Sequence, residues 1–235
     1  MSGHSKWATT KRQKASADAK RSNLFTKLAK NIAIAARDGS DPETNFKLRI
    51  AIDRAKKLSL PKDNIERAIK NGSGELTGQQ IEEILYEAYA PDGIALLIAT
   101  ITDNKNRTVS EIKHLLTKAG GSLGSSGSVL WMFTRRGVIY LNDSNLKEEQ
   151  ELALIDAGAI DIDRNEDKII IYTSDTDFKA VEEVARNAKL DIDDSDLEYI
   201  AKDIVVPPQP DKITKLMDQL DELDDVQNVY TNADV

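Results

Sequence analysis

The residues that could do chemistry crowd the N-terminus. Lys6, Lys11, Arg12, Lys14, Lys20, Arg21, Lys27 and Lys30 face a single acid, Asp18, and His4 and Trp7 lie among them. Ammonium and guanidinium groups hold phosphate by charge, and an indole offers a flat ring for a base to stack on, so the set suits a nucleic acid. The bias continues beyond the tail. The first 74 residues carry 17 Lys and Arg against 7 Asp and Glu, a net +10, and the remainder carries 15 against 33, a net −18. The whole-chain charge of −8 thus conceals a basic module at one end. Residues 2–16 have almost no apolar residues and no hydrophobic period, so the expectation is a disordered tail that orders on a partner. A solvated tail is the plainer alternative, but the basic excess in the helices behind it favours nucleic acid.

Other chemistries lack parts. With no cysteine and only His4 and His114, neither a thiolate nucleophile, nor a His-based triad, nor a His- or Cys-ligated metal site can be assembled. The chain therefore reads as a non-enzyme needing no metal or cofactor, and His114 as a residue on a helix surface. Gly120–Ser128 could cradle a phosphate with backbone N–H groups, but it lacks the Gly-Lys-Ser/Thr ending of a nucleotide-binding P-loop and reads as a loop between helix and strand. In Asp103-Asn104-Lys105-Asn106-Arg107, a side-chain turn explains Asp103 or Asn104, while Lys105 and Arg107 offer a forked phosphate contact. Lys62 and Arg67 complete the candidate nucleic-acid contacts. The acidic runs Asp191–Asp196 and Asp218–Asp225 would repel nucleic acid and are expected to face solvent.

The elements that must position these residues change character along the chain. Ser22 is a candidate cap for a helix with Phe25, Leu28, Ile32 and Ala36 on one stripe, stopped by Gly39. Asp41-Pro42 starts a second helix through Phe46, Ile50 and Leu58, and Pro61 opens a third, ended by Asn71-Gly72. Such a bundle leaves Arg49, Arg54, Lys56, Lys57, Lys62, Arg67 and Lys70 mostly on outer faces. From Ile81 the period becomes strand-like: 84–90, a Pro91-Asp92-Gly93 turn and 94–102 form a hairpin. Thr108-Val109-Ser110-Glu111 reads as a capping box opening a helix that ends at Gly120-Gly121, with a strand near 129–133 beyond. Strands at 138–141, 160–162, 168–173 and 197–205, with helices at 146–157 and 178–188, spell the β-α-β-β-α-β order of a ferredoxin-like motif.

Pro207-Pro208-Gln209-Pro210 is a stiff linker, followed by one helix through Ile213, Leu216 and Leu220 and one strand at 226–230. These cannot form a core alone and should pack back on the hairpin unit. The expected fold class is α+β: an N-terminal three-helix domain with its tail (1–78), a middle α/β sandwich domain (79–134 with 207–235), and a ferredoxin-like domain (135–206) inserted in it. The longest apolar run, Ile94–Ala99, is too short to span a membrane, the N-terminus lacks a signal-peptide core, and the absence of cysteine fits a reducing cytoplasm.

Gly3-His4-Ser5-Lys6-Trp7, Asp18-Ala19-Lys20-Arg21, Phe25-Thr26-Lys27-Leu28, Leu60 to Ile69, Thr102 to Thr108, and Gly121 to Gly124 with Gly127-Ser128-Val129 together resemble the YebC/PmpR family. The likeness is dense over the first 137 residues and rests on element order beyond them. It departs from the family pattern at Thr134-Arg135-Arg136, where an acidic or amide residue and one basic residue are common. The family includes bacterial transcriptional regulators and a mitochondrial translational activator of cytochrome oxidase. The resemblance implies three domains and a role in gene expression, either at promoter DNA or at ribosomal RNA on the ribosome, where some members relieve stalling at proline-rich stretches. A protein-interaction scaffold using the acidic surfaces is the reading from another class. A monomer is expected.

Overall fold

A computed structural model describes residues 18–76, 81–142, 145–165 and 168–235, with the side chains of 18–20 and 165 outside it. The chain divides into two compact units. The first holds the described residues up to Phe133 together with Ala201–Val235, and the second holds Thr134–Ile200.

The first unit opens with helices α1 (Asp18–Ala35), α2 (Phe46–Lys57) and α3 (Lys62–Gly72). Leu28, Ile32 and Ala35 repeat on one face of α1 and meet Leu48, Ile52, Ala55, Ile65 and Ala68 in one core. Asn45 sets the geometry of the first corner. Its Oδ1 accepts from the Leu48 amide at 3.1 Å as the N-cap of α2, and its Nδ2 donates to the Ala35 and Gly39 carbonyls, each at 2.7 Å. Helix α2 therefore begins after Asn45 and not at Asp41-Pro42, which form a turn. Ser22 lies inside α1 and caps nothing. Gly72, expected as a stop signal, is the last residue of α3 and a point of close approach: a Cβ there would sit 2.1 Å from the Ala33 carbonyl oxygen.

The same unit continues as an antiparallel sheet. Strands β1 (Glu82–Tyr89) and β2 (Ala95–Thr102) form the hairpin, joined through Pro91–Gly93. Helix α4 (Lys105–Ala119) follows, then the two-residue strand β3 (Ser122–Leu123), which sequence reasoning missed. The region expected as a strand at 129–133 is a 3₁₀ turn, Leu130–Met132, leading into β4 (Phe133–Leu141). After the second unit the chain returns as α7 (Pro210–Asp221) and β8 (Val226–Thr231), giving strand order β3-β1-β2-β8. Ile94, Leu96 and Ile98 pack with Ile112 and Leu116 of α4, and with Ile213, Leu216, Met217 and Leu220 of α7, in one core.

The second unit contains most of β4, then α5 (Glu148–Asp156), β5 (Ala159–Asn165), β6 (Lys168–Thr173), α6 (Phe178–Asn187) and most of β7 (Ile192–Ala201). Its strand order, β5-β6-β4-β7, is that of the ferredoxin-like motif. Both faces of β4 and β6 are buried, with Val138, Tyr140, Ile170 and Tyr172 on one and Ile139, Leu141, Ile169 and Ile171 on the other. The last strand was expected at 197–205. It ends at Ala201, and Val205 instead forms an isolated parallel bridge to Ala233.

Candidate nucleic-acid interface

Helix α4 begins one turn earlier than the apparent capping box. Asn104 is the N-cap, its Oδ1 accepting from the Arg107 amide at 3.1 Å. Thr108 is thereby drawn into the helix and buried, and its hydroxyl donates to Asp225 Oδ2 at 2.7 Å. The same oxygen accepts from Arg107 at 2.6 Å and from the Thr102 hydroxyl at 3.1 Å, and Lys30 Nζ donates to the other carboxylate oxygen at 2.6 Å. The Asp225 side chain is only 2% exposed. Burial alone would raise its pKa, but hydrogen bonds from Lys30, Arg107 and Thr108 outweigh that and hold the carboxyl down at about 2.

Asp225 is the centre of a longer seam between α1 and the end of α7 with the residues after it. Lys27 Nζ donates to the Asp221 carbonyl and lies 3.2 Å from its carboxylate, and Lys30 Nζ also donates to the Asp224 carbonyl at 2.9 Å. Asn23 donates to the Glu222 carbonyl at 2.7 Å, and Asn31 to Gln227 Oε1 at 3.1 Å. The acidic run 218–225 thus does not face only solvent: Asp221 and Asp225 bind cations of the chain's own basic helices. In the other acidic run, Asp193 takes Lys168 at 2.7 Å.

The expected nucleic-acid ligands separate accordingly. His4, Lys6, Trp7, Lys11, Arg12 and Lys14 lie outside the described residues, as does the side chain of Lys20. Arg21 is exposed, with its guanidinium 5.4 Å from the centre of the Phe25 ring. Lys27 is buried against Asp221. Arg107 binds Asp103 at 2.8 Å as well as Asp225, and Lys105 pairs with Glu82 at 2.6 Å. The fork expected for phosphate is therefore engaged by carboxylates. Lys62 is exposed, 3.6 Å from Glu66. Lys56, Lys57, Arg67 and Lys70 are exposed as expected, whereas Arg49 and Arg54 are half-buried. His114 is exposed on α4.

A cleft of about 1030 Å³ opens beside the seam, bounded by α1 and α3 on one side and by residues 103–111 and 222–225 on the other. Arg67, Asn64 and Asn71 line it from α3, and Phe25 from α1. The two asparagines escaped sequence reasoning, because lone amides on a polar helix face carry no signal until a second wall stands opposite them.

The glycine-rich loop has an internal occupant. The carboxylate of Glu87, 7% exposed on β1, accepts from the amides of Gly127 at 2.5 Å, Val129 at 2.7 Å and Leu130 at 2.8 Å. Burial would raise this carboxyl, but the amides of Val129, Gly127 and Leu130 prevail and hold it below the usual range. Of the Gly120–Ser128 segment, the Gly127 amide is spent on the protein's own anion, and those of Gly120, Gly121, Gly124 and Ser128 bond backbone carbonyls. Among the described residues, no helix is long and apolar enough to cross a membrane.

Comparison with known proteins agrees with this framework. Residues 5–75 match the family model described as the TACO1/YebC protein N-terminal domain, and residues 81–233 that of the TACO1/YebC second and third domain. A probable transcriptional regulatory protein of Thermoanaerobacter pseudethanolicus is 46% identical over all of this chain and 98% of its own length, and one of Fervidobacterium nodosum is 47% identical over all of this chain and 94% of its own. The crystal structure of a conserved hypothetical protein from Aquifex aeolicus superposes with a TM-score of 0.84 at 42% identity, covering 94% of this chain and 93% of that one. On these matches, the chain belongs to the TACO1/YebC family.

Proposed function

We propose that this protein is a non-enzymatic regulator of gene expression that binds nucleic acid through residues 1–78, with promoter DNA as its target. One observation carries the reading: residues 1–74 are +10 at the front of a chain that is −18 elsewhere. Its helices keep Lys56, Lys57, Lys62, Arg67 and Lys70 exposed after folding. The relatives named probable transcriptional regulatory proteins support the same class. Lys27, Lys30 and Arg107 stand outside this phosphate-binding set, being held by Asp221 and Asp225. The test is the salt dependence of binding by the full chain. Replacing Lys11, Arg12 and Lys14 by Gln should flatten log affinity against log salt by about 0.9 for each duplex phosphate that the protein no longer neutralises. An unchanged slope would overturn the assignment.

Trp7 among the tail cations favours a second reading, folded RNA such as that of the ribosome. Under it, Trp7→Ala weakens RNA binding by about 1–3 kcal/mol while the melting temperature stays fixed. Unchanged RNA affinity would exclude the stacking role.

A further inference from the structure

The cleft beside the seam is polar in an unequal way. Its helical wall presents Asn64, Arg67 and Asn71, at i, i+3 and i+7 on one stripe of α3, together with Phe25 of α1. Arg21 stands next to Phe25. The opposite wall presents the acids Asp103, Glu111, Glu222 and Asp224, and its Arg107 is bound to Asp103 and Asp225. We infer that this cleft holds a single-stranded stretch of nucleic acid, with its phosphates along Arg21 and Arg67 and its bases turned across the cleft towards Glu111 and Asp224. The inference rests on the nucleic-acid reading above and specifies the strand state that reading leaves open.

The reasoning is electrostatic. A duplex carries phosphates along both flanks, so seating it here would press one backbone against carboxylates. A single strand has one backbone, which takes the cationic wall and leaves unpaired base edges to face the other. Those edges match the lining: amide side chains bond both donors and acceptors, carboxylates accept from the amino group of cytosine, and an aromatic ring stacks on any base. The volume, about 1030 Å³, lies at the upper end of pockets that enclose small ligands and admits about one or two nucleotides.

The test uses the full chain and fluorescence anisotropy with labelled oligonucleotides of about 12 nucleotides, one sequence prepared as single-stranded RNA, single-stranded DNA and duplex DNA. At least one single strand should bind about tenfold more tightly than the duplex, and the RNA and DNA arms identify which polymer is preferred. Asn64→Ala with Asn71→Ala, both exposed positions, should weaken single-strand binding about tenfold and leave duplex binding and the melting temperature unchanged. Glu111→Lys with Asp224→Lys should strengthen duplex binding and erase the preference. Duplex binding as tight as both single strands, or single-strand binding indifferent to the two asparagines, would overturn the inference while leaving the nucleic-acid reading intact. A full chain that binds none of the three would overturn that reading as well.

Discussion

Asp225 and Glu87 are both buried carboxylates, and they are satisfied in opposite ways. Glu87 is held by three backbone amides of a loop that its own strand supports. Those amides are dipoles without net charge, so the pocket is local, and its loss would free one loop. Asp225 is held by a lysine 195 residues earlier and an arginine 118 residues earlier in the chain. Its partners carry full charges and belong to separate elements, so the same acid neutralises cations and fastens the basic helices to the sheet unit. A buried anion can organise a loop or join two layers, and the chemistry of its donors decides which.

The strongest way to break this contrast is Asp225→Ala. It takes the shared acid from Lys30 and Arg107, which retain the Asp224 carbonyl and Asp103, leaves Thr108 facing a void, and should cost about 2–4 kcal/mol in urea unfolding of the full chain. A loss below roughly 1 kcal/mol would mean that the seam contributes little. Acid sharpens the comparison next. Because the folded pKa of Asp225 is about 2, below the unfolded value near 3.9, its stabilisation is complete above about pH 5 and is lost as pH falls towards 2. That amounts to about 2 kcal/mol, read as a shallower stability-against-pH slope in Asp225→Asn over that window.

Glu87→Gln should cost roughly 1–2 kcal/mol, because an amide nitrogen would face backbone donors that need an acceptor. Faster hydrogen exchange should be confined to Gly127, Val129 and Leu130, with α1 unaffected. Exchange that spreads into α1 would erase the distinction between local and joining anions. The smallest effect is a control on distance. Lys105–Glu82 and Lys30–Asp225 are both 2.6 Å pairs, but the first is more than half exposed at each end. Lys105→Ala should leave the unfolding midpoint unchanged, since water already solvates that pair.

Much of the framework was legible because periodicity is local. Leu28 and Ile32, the Pro91-Asp92-Gly93 turn and the alternation in 94–102 each announce an element within a few residues. Helix starts were harder, since several polar residues compete to cap. Asn45 won because its amide also reaches the Ala35 and Gly39 carbonyls, and Asn104 because its own N–H is held by the Thr102 hydroxyl, whereas Thr108 satisfied a capping pattern but was drawn inward by Asp225. Gly72 looked like punctuation because a glycine needed for closeness reads the same as one needed for a left-handed turn. The seam itself was illegible. Opposite charges at the two ends of a chain are consistent with any pairing, and only the return of α7 and β8 decides which acids meet Lys27 and Lys30. That return decides the partners of Lys27 and Arg107, as β1 supplies that of Lys105: a cation's type is local, but its partner is not.

The pairing of β2 with β8 has a temporal consequence. The second unit is contiguous in sequence and can close as soon as Ile200 has been made, but the first sheet waits for Val226–Thr231. At typical synthesis rates the free edge of β2 stays unpaired for on the order of ten seconds after it emerges, with the apolar face of Leu96 and Ile98 still lacking the cover of α7. The nascent protein is therefore most vulnerable to aggregation in its first unit, although most of that unit's residues are made first, and slowing translation after Ala201 would lengthen the exposure.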